Sequence, residues 1–152
     1  LDSLAARGIE VHAVGKICDI YCGHGIASSV RVADNRDAMA KTFDLLERID
    51  RGFIFVNLND FDSKYGHRRN ARGYADALGD LDSLIPRLES LLRPGDQVVF
   101  TADHGCDPTA PGSDHTREYV PFIHLSAAPG ADLGVIEGMD HVGKTVVAGF
   151  GA

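Results

Sequence analysis

Short apolar runs alternate along this chain with segments in which apolar residues recur at helical spacing. The run 9–14 is rich in β-branched residues, and the runs 53–58 and 98–100 are apolar on both faces of a pleat. Runs of this kind are typical of strands that are covered on both sides, as in a parallel sheet. The run 121–125 is a fourth candidate strand.

Three other segments have the spacing of amphipathic helices. The first follows the candidate N-cap Asp34-Asn35 and stops before Gly52. The second covers about 74–92 and contains Pro86, which we expect to kink it. The third runs from about 139 to 150.

The order of these elements is strand, helix, strand, helix, strand, loop, strand, helix. This alternation predicts a single α/β domain over residues 1–152, with a mainly parallel sheet, helices on both faces and right-handed crossovers. In such sheets functional residues gather just beyond the carboxyl ends of the strands. The polar residues of this chain are concentrated at those positions.

Composition and charge narrow the classes of function. The 152 residues are 44% hydrophobic and 24% charged, as in an ordinary globular domain. A formal charge of −7 without a basic cluster argues against nucleic-acid binding. No apolar run is long enough to span a bilayer, and the first residues do not resemble a signal peptide. We therefore expect no membrane association and a cytoplasmic location.

The cysteines support the same location. There are three of them, with no C-x-x-C pair, and a reducing compartment is the simplest explanation of that pattern. Cys18, Cys22 and His24 could form half of a structural zinc site. No second half of matching chemistry lies nearby in the sequence.

Three loops combine carboxylates with imidazoles, and two of them directly follow candidate strands. They cover residues 59–69, 103–107 and 113–118, and the last follows a loop containing proline and glycine that could fold His115 back over the site. A single Asp or His is more often a cap, a turn residue or a surface group. Three such clusters at successive strand ends are harder to explain in that way. The side chains able to bind a metal are Asp60, Asp62, His67, Asp103, His104, Asp107, Asp114 and His115.

The mixture of ligand types indicates which metal these loops would bind. Carboxylates with imidazoles favour Mn²⁺, Zn²⁺ or Fe²⁺ over the all-oxygen sites of Ca²⁺ and Mg²⁺. Asp103 and His104 are adjacent, so they can bind one ion only if the backbone turns, or they line two sides of a two-metal cluster. Paired metals are a common device for phosphoryl transfer.

Four segments closely resemble the carboxyl-terminal part of the phosphopentomutase family, in the alkaline phosphatase superfamily. They are DFDxxYGHRR at 60–69, TADHGCDPT at 101–109, GxDHTRExxP at 112–121 and GKIxDIYxGxGI at 15–26. The resemblance extends to about residue 134, and it implies a partial alkaline-phosphatase-like core. The YGHRR and DHTRE blocks favour this family over its relative, cofactor-independent phosphoglycerate mutase.

The resemblance implies a site with two Mn²⁺ ions, for which Zn²⁺ is an alternative. In it, Asp62, His67 and His115 hold one ion, and Asp103 and His104 belong to the other. Lys16 matches a family position near the substrate phosphate. His141 could be an additional ligand or a surface residue at a helix start, and we expect His12 and His124 to be packed or hydrogen-bonded.

Other parts of the family site have no counterpart in this sequence. The resemblance places a further aspartate ligand, the phosphorylated threonine and a cap domain in an N-terminal part. We therefore expect a C-terminal piece of a longer enzyme, nearly inactive alone and without a catalytic nucleophile. Thr101, Thr109 and Thr116 do not match the nucleophile position. Residues 135–152 depart from the family pattern, so the resemblance does not imply how the last helix packs.

The function that the resemblance implies is phosphopentomutase activity, an isomerase reaction of nucleoside salvage. It interconverts the 1-phosphate and 5-phosphate of ribose or deoxyribose, so the expected partners are a pentose phosphate and a complementing N-terminal half. One alternative is a phosphatase or phosphoglycerate mutase of the same superfamily. Another is a metal-binding module without catalytic activity.

Overall fold

Two sheets and six α-helices are formed in the computed structural model, which describes residues 1–151. The strands are β1 Val11–Val14, β2 Ser28–Val30, β3 Phe53–Val56, β4 Val98–Thr101 and β5 Phe122–Leu125. The α-helices are α1 Asp2–Ala5, α2 Ile17–Ile20, α3 Asn35–Arg48, α4 Ala71–Asp82, α5 Ile85–Leu91 and α6 Asp140–Gly149. A π-helix, Phe61–Gly66, lies between β3 and α4.

The first three strands form a parallel sheet in the order β2-β1-β3, with Val11 opposite Phe53 and His12 opposite Ser28. The predicted α/β class with a parallel sheet is thus confirmed. The last two strands differ from the expectation, because β4 and β5 pair antiparallel in a separate sheet. Parallel neighbours usually need a helical crossover. The connection from β4 to β5 contains no helix, and the chain simply reverses.

Pro86 does not kink a long helix, because the predicted segment 74–92 is divided into α4 and α5. Pro86 lies in the first turn of α5. Proline is tolerated there since the first backbone N–H groups of a helix have no partner within it. Within residues 1–151, no helix combines the length and the apolar character needed to cross a membrane.

A first hydrophobic cluster attaches the end of the chain to the parallel sheet. Its buried members are Leu4, Ile9 and Val11, and Val146, Val147 and Phe150 pack against them together with Leu1, Ile26 and Phe53. The last helix, α6, therefore packs against a cluster that includes Val11 of β1. It does so although its sequence departs from the pattern of the family that the chain resembles.

A second cluster joins the two sheets through the helices that cover them. Met39, Phe43 and Leu88 are buried at its centre. Leu58, which follows β3, packs against this centre, and so do Val98 and Phe100 of β4. The Arg87 guanidinium also lies over the Phe43 ring, 4.5 Å from its centroid. This shared layer brings the carboxyl ends of β3 and β4 into one region.

The start of α3 is capped reciprocally. The Asp34 carboxylate accepts a hydrogen bond of 2.9 Å from the Asp37 N–H, and the Asp37 carboxylate accepts one of 3.0 Å from the Ala33 N–H. Side-chain acceptors of this kind satisfy N–H groups that have no partner within the helix.

We predict that Asp34→Ala lowers the free energy of unfolding by about 1 kcal/mol, because the first turn of α3 loses its acceptor. Urea unfolding followed by circular dichroism measures this loss. Asp34→Asn is the matched control, since it keeps an acceptor oxygen and should remain close to the parent protein. Equal stability of the alanine variant and the parent would contradict the capping role.

Candidate metal centre

The π-helix places Asp62 and His67 side by side. In this helix type hydrogen bonds join residues five apart, and the His67 N–H donates to the Asp62 carbonyl at 3.0 Å. The Nε2 atom of His67 then lies 3.2 Å from Oδ1 of Asp62. Such turns are rare and are frequently found at functional sites.

His115 reaches the same carboxylate from the long loop after β4. The loop folds back on itself through an isolated bridge between Gly105 and Thr116, in which the Thr116 N–H donates to the Gly105 carbonyl at 3.0 Å. The Thr116 hydroxyl also accepts a bond of 2.8 Å from the Asp107 N–H. As a result, Nε2 of His115 lies 3.4 Å from Oδ1 of Asp62.

Asp62, His67 and His115 together form a triad of possible metal ligands. One ligand atom from each residue lies within 4.8 Å of the others, and no other group of three is found in the described part of the chain. The three side chains are 29%, 36% and 48% exposed, respectively, so the site opens to solvent. One carboxylate oxygen and two imidazole nitrogens form a donor set that suits Mn²⁺ or Zn²⁺.

The histidine tautomers also suit a metal. Nδ1 of His67 is hydrogen-bonded to the Ser113 carbonyl, and Nδ1 of His104 lies 3.1 Å from the Gly105 carbonyl. A carbonyl oxygen can only accept, so each Nδ1 must carry the hydrogen. In the neutral rings, Nε2 therefore keeps the lone pair that a metal needs.

Asp103 and His104 lie beside this triad at the end of β4. The His104 ring stacks on that of His115, with centroids 3.6 Å apart and planes inclined by 19°. Nε2 of His104 lies 3.6 Å from Oδ1 of Asp103, so these adjacent side chains bring one nitrogen and one oxygen atom close together. They are two adjacent side chains able to bind a metal, and the Asp103 side chain is 78% exposed.

Three of the other carboxylates predicted as possible ligands lie outside the triad. Asp60, one of the side chains that could bind a metal by its chemistry, is buried and paired with Lys64. Asp107 accepts hydrogen bonds of 2.7 Å from the hydroxyl and the N–H of Thr109, which lower the pKa of its carboxyl group. This pattern is typical of a turn residue. Asp114 is exposed on the same loop.

The remaining histidines have structural contacts. Nδ1 of the buried His12 lies 2.8 Å from the Ser28 hydroxyl, and Nε2 of His124 lies 2.9 Å from Oε1 of Gln97. His141 packs edge-on against Phe122 with centroids 5.0 Å apart. The expectation that His12 and His124 are packed or hydrogen-bonded is confirmed, and His141 does not join the triad.

Two further candidate sites of the sequence lie near β1. Cys18, Cys22 and His24 do not come together as a ligand group in residues 1–151, and Cys18 and Cys22 are free thiols. Lys16 is exposed just after β1, at the N-terminal end of α2. It thus lies at the carboxyl end of a central strand, where binding residues of α/β domains gather.

Cys106 is a neighbour of the triad that the sequence did not indicate. Its Sγ lies 3.7 Å from Oδ1 of Asp62, and burial followed by the Asp62 charge raises the pKa of the thiol. The protonated thiol therefore donates to the carboxylate. Gly66 leaves room for the sulfur, because a Cβ atom at that position would overlap it. The only signal in the sequence was the position of this cysteine two residues after His104.

Comparison with known proteins places the chain in a family. The model of the Metalloenzyme superfamily matches residues 6–152. A phosphopentomutase of Kosmotoga olearia is 46% identical over 99% of this chain, and the match covers 39% of that relative. One from Anaeromyxobacter dehalogenans strain 2CP-1 is 47% identical over 99% of the chain, again with 39% of the relative covered. The chain thus spans about two fifths of the length of these curated relatives.

We predict that Gly66→Ala lowers the free energy of unfolding by about 1–3 kcal/mol, because its methyl group overlaps the Cys106 sulfur. Cys106→Ala in the same chain should restore part of the loss. The recovery is incomplete since the Phe61 carbonyl remains 3.0 Å from the new Cβ. Urea unfolding measures all the variants.

Gly79→Ala is the matched control for this prediction. It lies in α4, and nothing within 4 Å would meet its Cβ. It should raise stability by about 0.5–1 kcal/mol, as expected when alanine replaces glycine inside a helix. A loss of stability at Gly66 that Cys106→Ala leaves unchanged would contradict the proposed overlap.

Proposed function

Because this chain belongs to the metalloenzyme superfamily, we propose that it is the metal-binding part of a phosphopentomutase. Family membership and the triad together imply the use of a divalent metal. The observation that carries the proposal is the convergence of Asp62, His67 and His115, in a chain 46–47% identical to phosphopentomutases over nearly its whole length.

The proposed site binds Mn²⁺ through Asp62, His67 and His115, with Zn²⁺ as the alternative ion. Asp103 and His104 contribute to a second ion. When bound, divalent cations offset the negative charge of a transferring phosphoryl group. The chain's own contribution to the two ions is two carboxylates and three neutral imidazoles, so most of the cation charge remains for the phosphate.

The carbonyls of Ser113 and Gly105 have a defined part in this proposal. They hold the rings of His67 and His104 in the tautomer with a free Nε2. This support fixes ring orientation before any ion arrives, which reduces the cost of ordering the ligands.

The reaction we propose for the complete enzyme exchanges a phosphoryl group between C1 and C5 of ribose or deoxyribose, as in nucleoside salvage. We assign no nucleophile to this chain, and we expect the nucleophilic threonine and one further aspartate ligand in a complementing N-terminal part. Lys16 is proposed to contact the substrate phosphate. Its exposed position after β1 supports this role, and its side chain has no ion-pair partner among residues 1–151.

A complementing part is also the partner we propose. The chain covers only 39% of its relatives, and several large apolar side chains are exposed. Tyr119 is 88% exposed, Val135 71% and Ile123 52%. A partner that covers these residues would remove apolar surface from water.

The three free cysteines favour a reducing compartment, and we propose the cytoplasm.

We predict that the chain binds Mn²⁺ and that His67→Ala or His115→Ala abolishes this binding, because each removes one of the three donors. Isothermal titration calorimetry on the folded variants measures it. His124→Ala is the control, since this imidazole bonds Gln97 outside the triad. Equal Mn²⁺ affinity of the His115→Ala variant and the parent would contradict the ligand assignment.

We predict that the chain alone does not interconvert pentose 1-phosphate and 5-phosphate. Mixing it with the separately produced N-terminal part of a phosphopentomutase relative should restore turnover. In that mixture Lys16→Ala should raise KM by more than it lowers kcat, and Lys41→Ala on α3 serves as the control. Turnover by the chain alone would contradict the missing nucleophile. A metal-binding mixture without turnover would favour a module without catalytic activity.

A further inference from the structure

We propose that Asp60 is a positioning residue for the metal centre, which it serves by fixing the π-helix that carries Asp62 and His67. Asp60 directly precedes this helix and is only 9% exposed. It does not contact the triad. The part of the inference that concerns metal affinity rests on the proposed function, and the part that concerns the π-helix does not.

The Asp60 carboxylate joins two elements through one oxygen. Oδ2 accepts a hydrogen bond of 3.1 Å from the backbone N–H of Asn35 and one of 3.0 Å from Nζ of Lys64. In return, the Asp60 N–H donates to Oδ1 of Asn35 at 3.0 Å. The first residue of α3 is thereby bonded to the residue before the π-helix, and Lys64 adds a bond from within that helix.

A cavity lies on the side of the π-helix where Asp60 and Lys64 are bonded to each other. It has a volume of about 150 Å³, and its lining includes Asn35, Met39, Asp60, Lys64, Tyr65 and Leu81. Close packing therefore does not hold the π-helix against α3 at this point. On the side of α4, the ring of Phe61 contacts that of Tyr74 with centroids 5.3 Å apart. The bonds of Asp60 supply the attachment to α3.

Burying a carboxylate is costly unless its charge is paired and hydrogen-bonded. Asp60 meets both conditions, and Asp62 lies between Asp60 and Lys64 in the chain. Without these bonds the π-helix can move towards the cavity, and Asp62 and His67 then lose their spacing. The bonds of the buried Asp60 thus hold Asp62 and His67, two of the three proposed ligands, in position.

The metal-free chain provides the first test. The His67 amide donates across the π-helix to the Asp62 carbonyl, so its hydrogen exchange reports whether that turn is closed. In Asp60→Ala this amide should exchange at least about tenfold faster, while the amides of β1 keep their rates. Asp80→Asn is the matched control. Asp80 lines the same cavity and pairs with Arg36 at 3.2 Å, but it makes no bond to the π-helix.

Mn²⁺ calorimetry provides the second test. Asp60→Ala should weaken binding by about 10-fold or more, as is typical when a residue that orients metal ligands is removed. Asp60→Asn should recover part of this loss because its amide oxygen can still accept from the Asn35 N–H. Asp80→Asn should remain within about twofold of the parent, since it leaves the ligand support intact.

The outcomes separate the two proposals. Unchanged exchange of the His67 amide in a folded Asp60→Ala variant overturns the positioning role, and so does equal acceleration in Asp80→Asn. If the parent chain binds no Mn²⁺, the proposed function fails while the exchange experiment still decides this inference. If Asp60→Ala does not fold, Asp60→Asn decides it, because the amide loses the charge that pairs with Lys64 and is a weaker acceptor for the Asn35 N–H. Faster exchange of the His67 amide in Asp60→Asn than in Asp80→Asn supports the role, and equal exchange in the two variants overturns it.

Discussion

The ligand-bearing loops of this protein meet at a single carboxylate oxygen, Oδ1 of Asp62. Three polar side-chain atoms approach it: Nε2 of His67 at 3.2 Å, Nε2 of His115 at 3.4 Å and the Cys106 thiol at 3.7 Å. No lysine or arginine pairs with this carboxylate in residues 1–151. Its charge is therefore left for the groups around it and for a cation. The π-helix, the fold-back of the long loop and the glycine at position 66 all serve to let three side chains approach this one atom.

Much of the architecture could be predicted because burial leaves a periodic trace in sequence. The apolar runs containing β1, β3 and β4 and the stripe of α3 reflect the two hydrophobic clusters. Elements held mainly by backbone bonds leave no such trace. The strand β2 is the polar sequence Ser28–Val30, which is recognisable only once β1 lies beside it. The antiparallel pairing of β4 with β5 depends on the path of a loop that has no regular pattern of its own.

The candidate site, too, could be predicted from the sequence only in part. Clusters of carboxylates and imidazoles indicated the loops whose side chains the fold brings together, since the carboxyl ends of strands in such domains meet in one region. They could not show which members converge. Asp60 has the chemistry of a metal ligand in the sequence, but in the fold its carboxylate is buried and bonds the first residue of α3 to the start of the π-helix. Cys106 contacts Asp62 across 44 residues of chain, and only the folded loops reveal this. The roles of these residues follow from which loops are neighbours in space.

The most direct test of this account counts the imidazole nitrogens on a bound metal. Pulsed electron paramagnetic resonance of the chain with one equivalent of Mn²⁺ detects nitrogen nuclei coupled to the ion. The account predicts coupling to two histidine nitrogens, because His67 and His115 both present Nε2 towards Asp62. A spectrum with couplings only to water and carboxylate groups would place the ion elsewhere on the acidic surface. It would contradict a metal centre built on this triad.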